Sequence, residues 1–219
     1  MFVGHYAPAF ALKPAAPGVP LWALFISVQL LDLVWALLIL TGVEHARMVP
    51  GHMALSPIIL DYMPYSHSLP AGLGWAAIAG TVAALVWRRA GAWRSFGVVA
   101  LAVISHWVLG LIVHGHDLPL WPNGPNAGFG LWDHPALAIP LELGLLSLGF
   151  WLYVSATKPK GPIGERAPLI VLLIAIMAYG INLYGTPPAT PQALAAMALA
   201  TYTAFAGLAA WLDHTRTAK

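Results

Sequence analysis

Four ionisable side chains stand inside long apolar runs of this sequence, where charged groups are rare. They are Asp32, His106, His114 and Glu142. A charge at the centre of a bilayer costs about 2.5–3.5 kcal/mol on insertion scales, so such residues usually have a partner or a function. Imidazole nitrogens and carboxylate oxygens together are ligands typical of zinc and other first-row transition metals. These residue types predict either a metal site or a hydrogen-bonded network between helices, with Asp32 bonded to His106.

Composition identifies the class of protein in which these residues lie. Of the 219 residues, 59% are hydrophobic and 8% are charged, and the mean hydropathy is +0.76. A soluble domain has about 25% charged residues, so this chain has too few charges to cover a water-facing surface. The sequence therefore predicts an integral membrane protein, with the lipid bilayer as its first partner.

Several other classes of protein are excluded by the same composition. The ten Lys and Arg residues lie in short loops and form no basic stripe, which argues against a nucleic-acid partner. Cys is absent, so disulfide and thiolate chemistry are excluded. The first residues, "MFVGHYAPAF", lack the basic start and the cleavage site of a secretory signal, so we expect them to be retained.

Six apolar runs are long enough to cross a bilayer and predict an all-α, polytopic helix bundle. The bundle would form a single transmembrane domain over 1–219. A short helix is expected within 1–19, where it either lies on the surface or enters the bundle. Breaks rich in Pro and Gly separate the predicted spans, which are 20–41, 69–87, 95–115, 135–155, 167–185 and 191–212.

Basic residues in the short loops predict the orientation of the bundle. The segments 88–94, 158–166 and 214–219 carry most of the Lys and Arg residues and fall on one side of a six-span bundle. That side, with both termini, is therefore predicted to be cytoplasmic. The opposite side holds 42–68 and 116–134, which contain five of the nine His residues.

Three of the ionisable residues are predicted to share one depth in the membrane. With a helix rise of ~1.5 Å per residue, Asp32, His106 and Glu142 lie roughly 10–14 Å below the outer face. His114 lies near the outer mouth, and His67 enters from the outer end of the second span. A metal ion at this level would activate water near neutral pH, and a spare carboxylate would act as a general base.

Four short motifs follow one another within 1–122. They are "GHYAPAFA", an aspartate in "LLDLVW", "YSHS", and "SHWVLGLIVH" followed by "LPLWP". Their order resembles a bacterial inner-membrane family described as metal-dependent hydrolases, the YdjM-like, LexA-regulated type. The resemblance implies a bacterial inner-membrane location and metal ligands at His5, Asp32, His67 and His106.

Two features depart from that family pattern. The motif "MPYSHS" lacks the family's His-Arg pair. Family members often carry an acidic residue one helical turn after the Ser-His histidine, where this chain has Gly110. His114 or Glu142 could take the place of that acid. These two residues are the candidate catalytic groups, with Glu142 as a base or an additional ligand.

The function predicted first is a membrane-embedded, metal-dependent hydrolase with a divalent transition metal, zinc being favoured. Its substrate would be an amphiphilic or lipid-type ester or phosphoester, because the site lies below the membrane surface. The main alternative is a proton- or cation-coupled transporter that uses the buried Asp, His and Glu residues. A haem or quinone redox protein, and an assembly protein with an incidental polar network, are also left open, as is the oligomeric state.

Overall fold

Five long helices dominate the computed structural model, which describes residues 1–219. Each is long and apolar enough to cross a membrane, and a bent helix pair makes a sixth candidate span. The predicted all-α membrane bundle is confirmed. In chain order the helices are α1 (Tyr6–Leu12), α2 (Leu21–Val28), α3 (Leu30–Leu40), α4 (Leu69–Val86), α5 (Ala92–Val113), α6 (Pro135–Ala156), α7 (Pro162–Tyr184) and α8 (Pro191–His214).

Local signals fix where two of the long helices begin. Ser68 caps α4, because its side-chain oxygen accepts a hydrogen bond from the N–H of Ala71. Thr190 caps α8 in the same way by accepting one from Ala193. A proline in the first turn of each helix supports the same start. α4 and α5 are joined through Gly91, whose φ of +99° favours glycine.

The first predicted span, 20–41, is one apolar run that folds as two helices. α2 and α3 meet at Gln29 with a bend of 57°. The N–H of Gln29 donates to the carbonyl of Ile26 in a tighter turn, and the residue has φ −110° and ψ 7°, outside the helical region. The break lies three residues before Asp32 and therefore sets the direction of the helix that carries this carboxylate.

The N-terminal segment enters the bundle. The 3₁₀ turn Val3–His5 and α1 are buried against α2, α5 and α6. Packing on α6 is close because Gly149 has no side chain, and a Cβ there would clash with the backbone carbonyl of Ala7. Of the two predicted placements for 1–19, the structure has the buried one.

The other end of this segment is fixed to the end of α8. Lys13 Nζ donates to Asp213 Oδ2 at 2.7 Å, and the same oxygen accepts the N–H of Leu21 at 3.1 Å. Lys13 also donates to the carbonyls of Pro17 and Val19. α1 therefore runs from the bundle centre, where His5 lies, to the end of the bundle where α8 finishes.

A β-hairpin follows α3, in a region for which the sequence predicted only a loop. Its strands are antiparallel, and Arg47 and Asp61 form a two-pronged ion pair across them with both contacts at 2.7 Å. The hydrogen bonds from Arg47 lower the pKa of the Asp61 carboxyl. Two further ribbons are much shorter. The strands are β1 (His45–Met53), β2 (Ser56–Tyr62), β3 (Leu118–Pro119), β4 (Asn126–Ala127), β5 (Thr157–Pro159) and β6 (Arg216–Ala218).

Candidate metal centre

Three side chains predicted as metal ligands converge in the structure. Asp32 Oδ1 lies 3.3 Å from His67 Nε2 and 3.4 Å from His106 Nε2. Ligand atoms of the three residues all lie within 4.8 Å of one another. We call Asp32, His67 and His106 the metal triad, and this group of atoms could hold a metal ion.

Three different elements deliver the metal triad. Asp32 lies in the first turn of α3, just after the break, and His106 lies in the second half of α5. His67 directly precedes the N-cap of α4. Its backbone is held in place because Trp107 Nε1 donates to the His67 carbonyl at 2.8 Å. α5 thus supplies one ligand and fixes the position of another.

Hydrogen bonding assigns the proton of the His106 ring. His106 Nδ1 lies 2.8 Å from the carbonyl oxygen of Val28. A carbonyl oxygen only accepts, so Nδ1 carries the hydrogen. In the neutral ring Nε2 therefore presents a lone pair toward Asp32, which is the state in which a histidine binds a metal.

His67 is oriented in the same way through a buried serine and a buried glutamate. Ser66 Oγ lies 2.5 Å from Glu44 Oε2 and 2.8 Å from His67 Nδ1. An ionised Glu44 accepts the single hydroxyl hydrogen of Ser66, so the serine oxygen is left to accept from Nδ1–H of His67. Nε2 of His67 then also presents a lone pair to the triad. Carboxylate partners behind metal-binding histidines are a recurrent arrangement.

The carboxylate oxygen of Asp32 that faces away from the two histidines has its own hydrogen-bond partner. Its Oδ2 accepts the hydroxyl of Tyr202 at 2.7 Å, which leaves Oδ1 facing the two rings. Three electron-rich atoms therefore meet in the metal triad, and a proton or a metal cation among them would offset their mutual repulsion. Ligands about 2.0–2.1 Å from a tetrahedral ion stand about 3.3–3.4 Å apart, which matches the separations of Asp32 Oδ1 from the two Nε2 atoms.

Access to the triad differs between its members. The side chain of Asp32 is 22% exposed, whereas those of His67 and His106 are 6% and 4% exposed. Asp32 is therefore the most exposed member of the metal triad, and the two histidines are its buried members.

His5 lies next to the triad but outside it. Its ring stacks on that of His106 with a centroid separation of 4.0 Å and an interplanar angle of 7°. It is buried, and its Nδ1 has no hydrogen-bond partner. The N-terminal segment therefore brings His5 against His106, but its ligand atoms are not grouped with those of the triad. Its role as a metal ligand stays a prediction.

Glu142 and His114, the predicted catalytic residues, are also outside the triad. Glu142 Oε2 accepts the backbone N–H groups of Phe2 and Gly4 at 2.8 and 3.2 Å, so this carboxylate anchors the inserted segment. His114 ends α5, where Nδ1 lies 3.3 Å from Asp117 Oδ1 and the ring packs on Trp132. Their catalytic roles stay predictions.

Sequence reasoning missed the groups that orient the ligands. Glu44 lies just after the first predicted span and was not predicted as a functional residue. Its position next to a span is the feature of the sequence that could have indicated it. Ser66 stands in the motif "YSHS", directly beside His67. Tyr202 gave no signal, because a tyrosine in an apolar helix is ordinary.

Comparison with known proteins leaves the family open. The chain matches no family model, no curated protein and no solved structure among those compared. The resemblance to the YdjM-like family therefore stays a prediction, and the function has to be argued from the site.

Proposed function

We propose that this protein is a membrane-embedded, metal-dependent hydrolase that uses zinc or a similar divalent cation. The observation that carries the proposal is the metal triad, in which two imidazole nitrogens lie 3.3 and 3.4 Å from one carboxylate oxygen and all three ligand atoms lie within 4.8 Å of one another. Three protein ligands with a fourth position open to water or substrate are typical of catalytic rather than structural zinc sites. The partial exposure of Asp32 supports that interpretation.

In this proposal, the residues around the triad bind the cation or orient its ligands. His67 and His106 hold the cation as neutral imidazoles, fixed by Ser66 and by the Val28 carbonyl. Tyr202 orients Asp32. A cation bound there supplies a Lewis acid for an ester or phosphoester oxygen and makes water acidic enough to be activated near neutral pH.

The proposed substrate is an amphiphile such as a lipid-type ester or phosphoester. Two members of the triad lie on helices of the predicted spans, so a substrate must reach a depth at which lipid acyl chains begin. The basic loops and the resemblance to the YdjM-like family support a bacterial inner membrane, with the ends of the chain on the cytoplasmic side.

Metal analysis of the purified protein tests the proposal. Wild-type protein and His214→Ala, a change at an exposed histidine at the end of α8, should bind zinc stoichiometrically. His106→Ala and Asp32→Asn should lose it, together with any hydrolysis of a p-nitrophenyl acyl ester or bis(p-nitrophenyl) phosphate in micelles. Equal zinc in wild type and His106→Ala would refute the proposal.

A cation transporter is the second candidate, because one observation favours it. Helices broken within the membrane commonly bind ions in transporters, and here α2 and α3 are broken three residues before Asp32. Zinc or cobalt uptake into proteoliposomes that is abolished by Asp32→Asn, without hydrolysis of either ester, would favour transport over hydrolysis.

A further inference from the structure

Buried polar atoms without hydrogen-bond partners are concentrated beside the metal triad. Seven such side-chain atoms occur in the protein, and four belong to His5, Tyr6 and Gln29. An unpaired buried polar group usually costs stability, so each one calls for an explanation. When several neighbouring side chains lack hydrogen-bond partners, one bound ligand could supply hydrogen bonds to all of them.

Gln29 is the strongest of these groups. It is completely buried at the break between α2 and α3, and both Oε1 and Nε2 lack partners. The preceding residue, Val28, bonds the ring of His106, and Asp32 follows one helical turn later. The backbone at Gln29 therefore lies between the residue that bonds His106 and the helix turn that carries Asp32.

Tyr6 reaches the same place from α1. It follows His5, whose ring stacks on that of His106. The phenol ring is held between Phe25 and Phe205, with centroid separations of 4.6 and 5.0 Å. The hydroxyl lies beside the carboxamide of Gln29, but neither group makes a hydrogen bond of normal geometry. A rigid ring fixes the position of its unpaired hydroxyl.

We propose that Tyr6 and Gln29 form a polar subsite that binds a neutral ester, amide or hydroxyl group of the substrate while that substrate reaches the metal triad. The proposal rests on the proposed function. Tyr6 offers a donor, and Gln29 offers both donors and an acceptor. Since both groups are uncharged, the pair suits a neutral carbonyl or hydroxyl better than a phosphate dianion. The proposal thereby narrows the substrate class to acyl esters or amides of amphiphiles.

Acetohydroxamate is a suitable probe, because it binds metals and carries a carbonyl, an N–H and an O–H. Cobalt-loaded protein in detergent would be titrated with it and followed by visible absorption. Tyr6→Phe and Gln29→Leu should retain cobalt but bind acetohydroxamate about tenfold more weakly, the effect of one lost hydrogen bond. Tyr153→Phe is the matched control, since Tyr153 is an equally buried, unpaired phenol at the α8 end of α1.

Thermal unfolding of the metal-free protein without probe supplies a second measurement. Removing an unpaired hydroxyl should leave the midpoint of Tyr6→Phe at or above that of wild type, as for Tyr153→Phe. A lowered midpoint for Tyr6→Phe would show that the hydroxyl has an internal partner and would overturn the subsite.

The two proposals fail in different ways. If wild-type protein binds no cobalt, the proposed hydrolase function fails and the thermal comparison alone decides whether the hydroxyl is unpaired. If cobalt binds and Tyr6→Phe takes up acetohydroxamate as well as wild type, the subsite fails while the metal site stands. Should Gln29→Leu not fold, the Tyr6→Phe result is sufficient.

Discussion

Ser66→Ala should weaken zinc binding without removing a metal ligand. The change takes away the acceptor of His67 Nδ1–H and cuts the link to Glu44. An unpaired buried N–H costs about 1–3 kcal/mol, and loss of such outer partners weakens metal binding about 10–100-fold, or about 1.4–2.7 kcal/mol. Competition between the protein and a chromophoric chelator for zinc measures this loss.

Ser68→Ala is the matched control for that experiment. Ser68 is the other neighbour of His67 and is equally buried, but its hydroxyl donates to the carbonyl of Pro64 and caps α4. The control should lose about 1 kcal/mol of stability from the missing cap and keep its zinc affinity. Equal affinities in the two variants would refute the role given to Ser66.

Three further predictions concern the elements around the site. Gly149→Ala should lower the free energy of unfolding in detergent by about 3 kcal/mol, because the added Cβ would clash with the backbone of α1. Gly144→Ala, on the same helix, adds a Cβ with no atom within 4 Å and should leave the free energy of unfolding unchanged. Lys13→Met should destabilise the protein by less than the about 3–5 kcal/mol of a fully buried pair, since its partner is 22% exposed, and thermal unfolding would measure the loss. Arg47 holds the pKa of Asp61 below its ordinary value, so the ion pair should stabilise the hairpin at neutral pH and this contribution should be lost as the pH falls through the lowered pKa. Hydrogen exchange of the hairpin amides between about pH 6 and pH 2.5 should show this loss in wild type and not in Arg47→Gln.

Hydropathy predicted most helix positions because the bilayer demands long apolar runs. The predicted span 135–155 corresponds to α6, which begins at Pro135 and ends one residue later. The span predicted to begin at 167 begins instead at Pro162, because α7 continues through Glu165 and Arg166 near its start, where charges can reach water. The β-hairpin had no comparable signal, since its pairing depends on contacts between residues distant in sequence.

Burial of charge singled out Asp32 and His106, whereas His67 was predicted as a ligand from the family resemblance, and depth alone could not complete the site. Asp32 and His106 were predicted to share one level and do meet. Glu142 was placed at the same level, yet it anchors the N-terminal segment, because the distance along a helix says nothing about which neighbour a side chain faces. Only the three-dimensional arrangement shows that Gln29 marks a break within the first span.

The buried N-terminal segment has a consequence for the order in which the protein can assemble. Residues near the start of the chain depend on Glu142 and on Asp213, which leave the ribosome long after them. α1 must therefore wait, with its apolar face uncovered, until α6 and α8 have been synthesised and inserted. Since Tyr202 also lies on α8, the site can be completed only near the end of synthesis, and folding is dominated by contacts between distant parts of the chain.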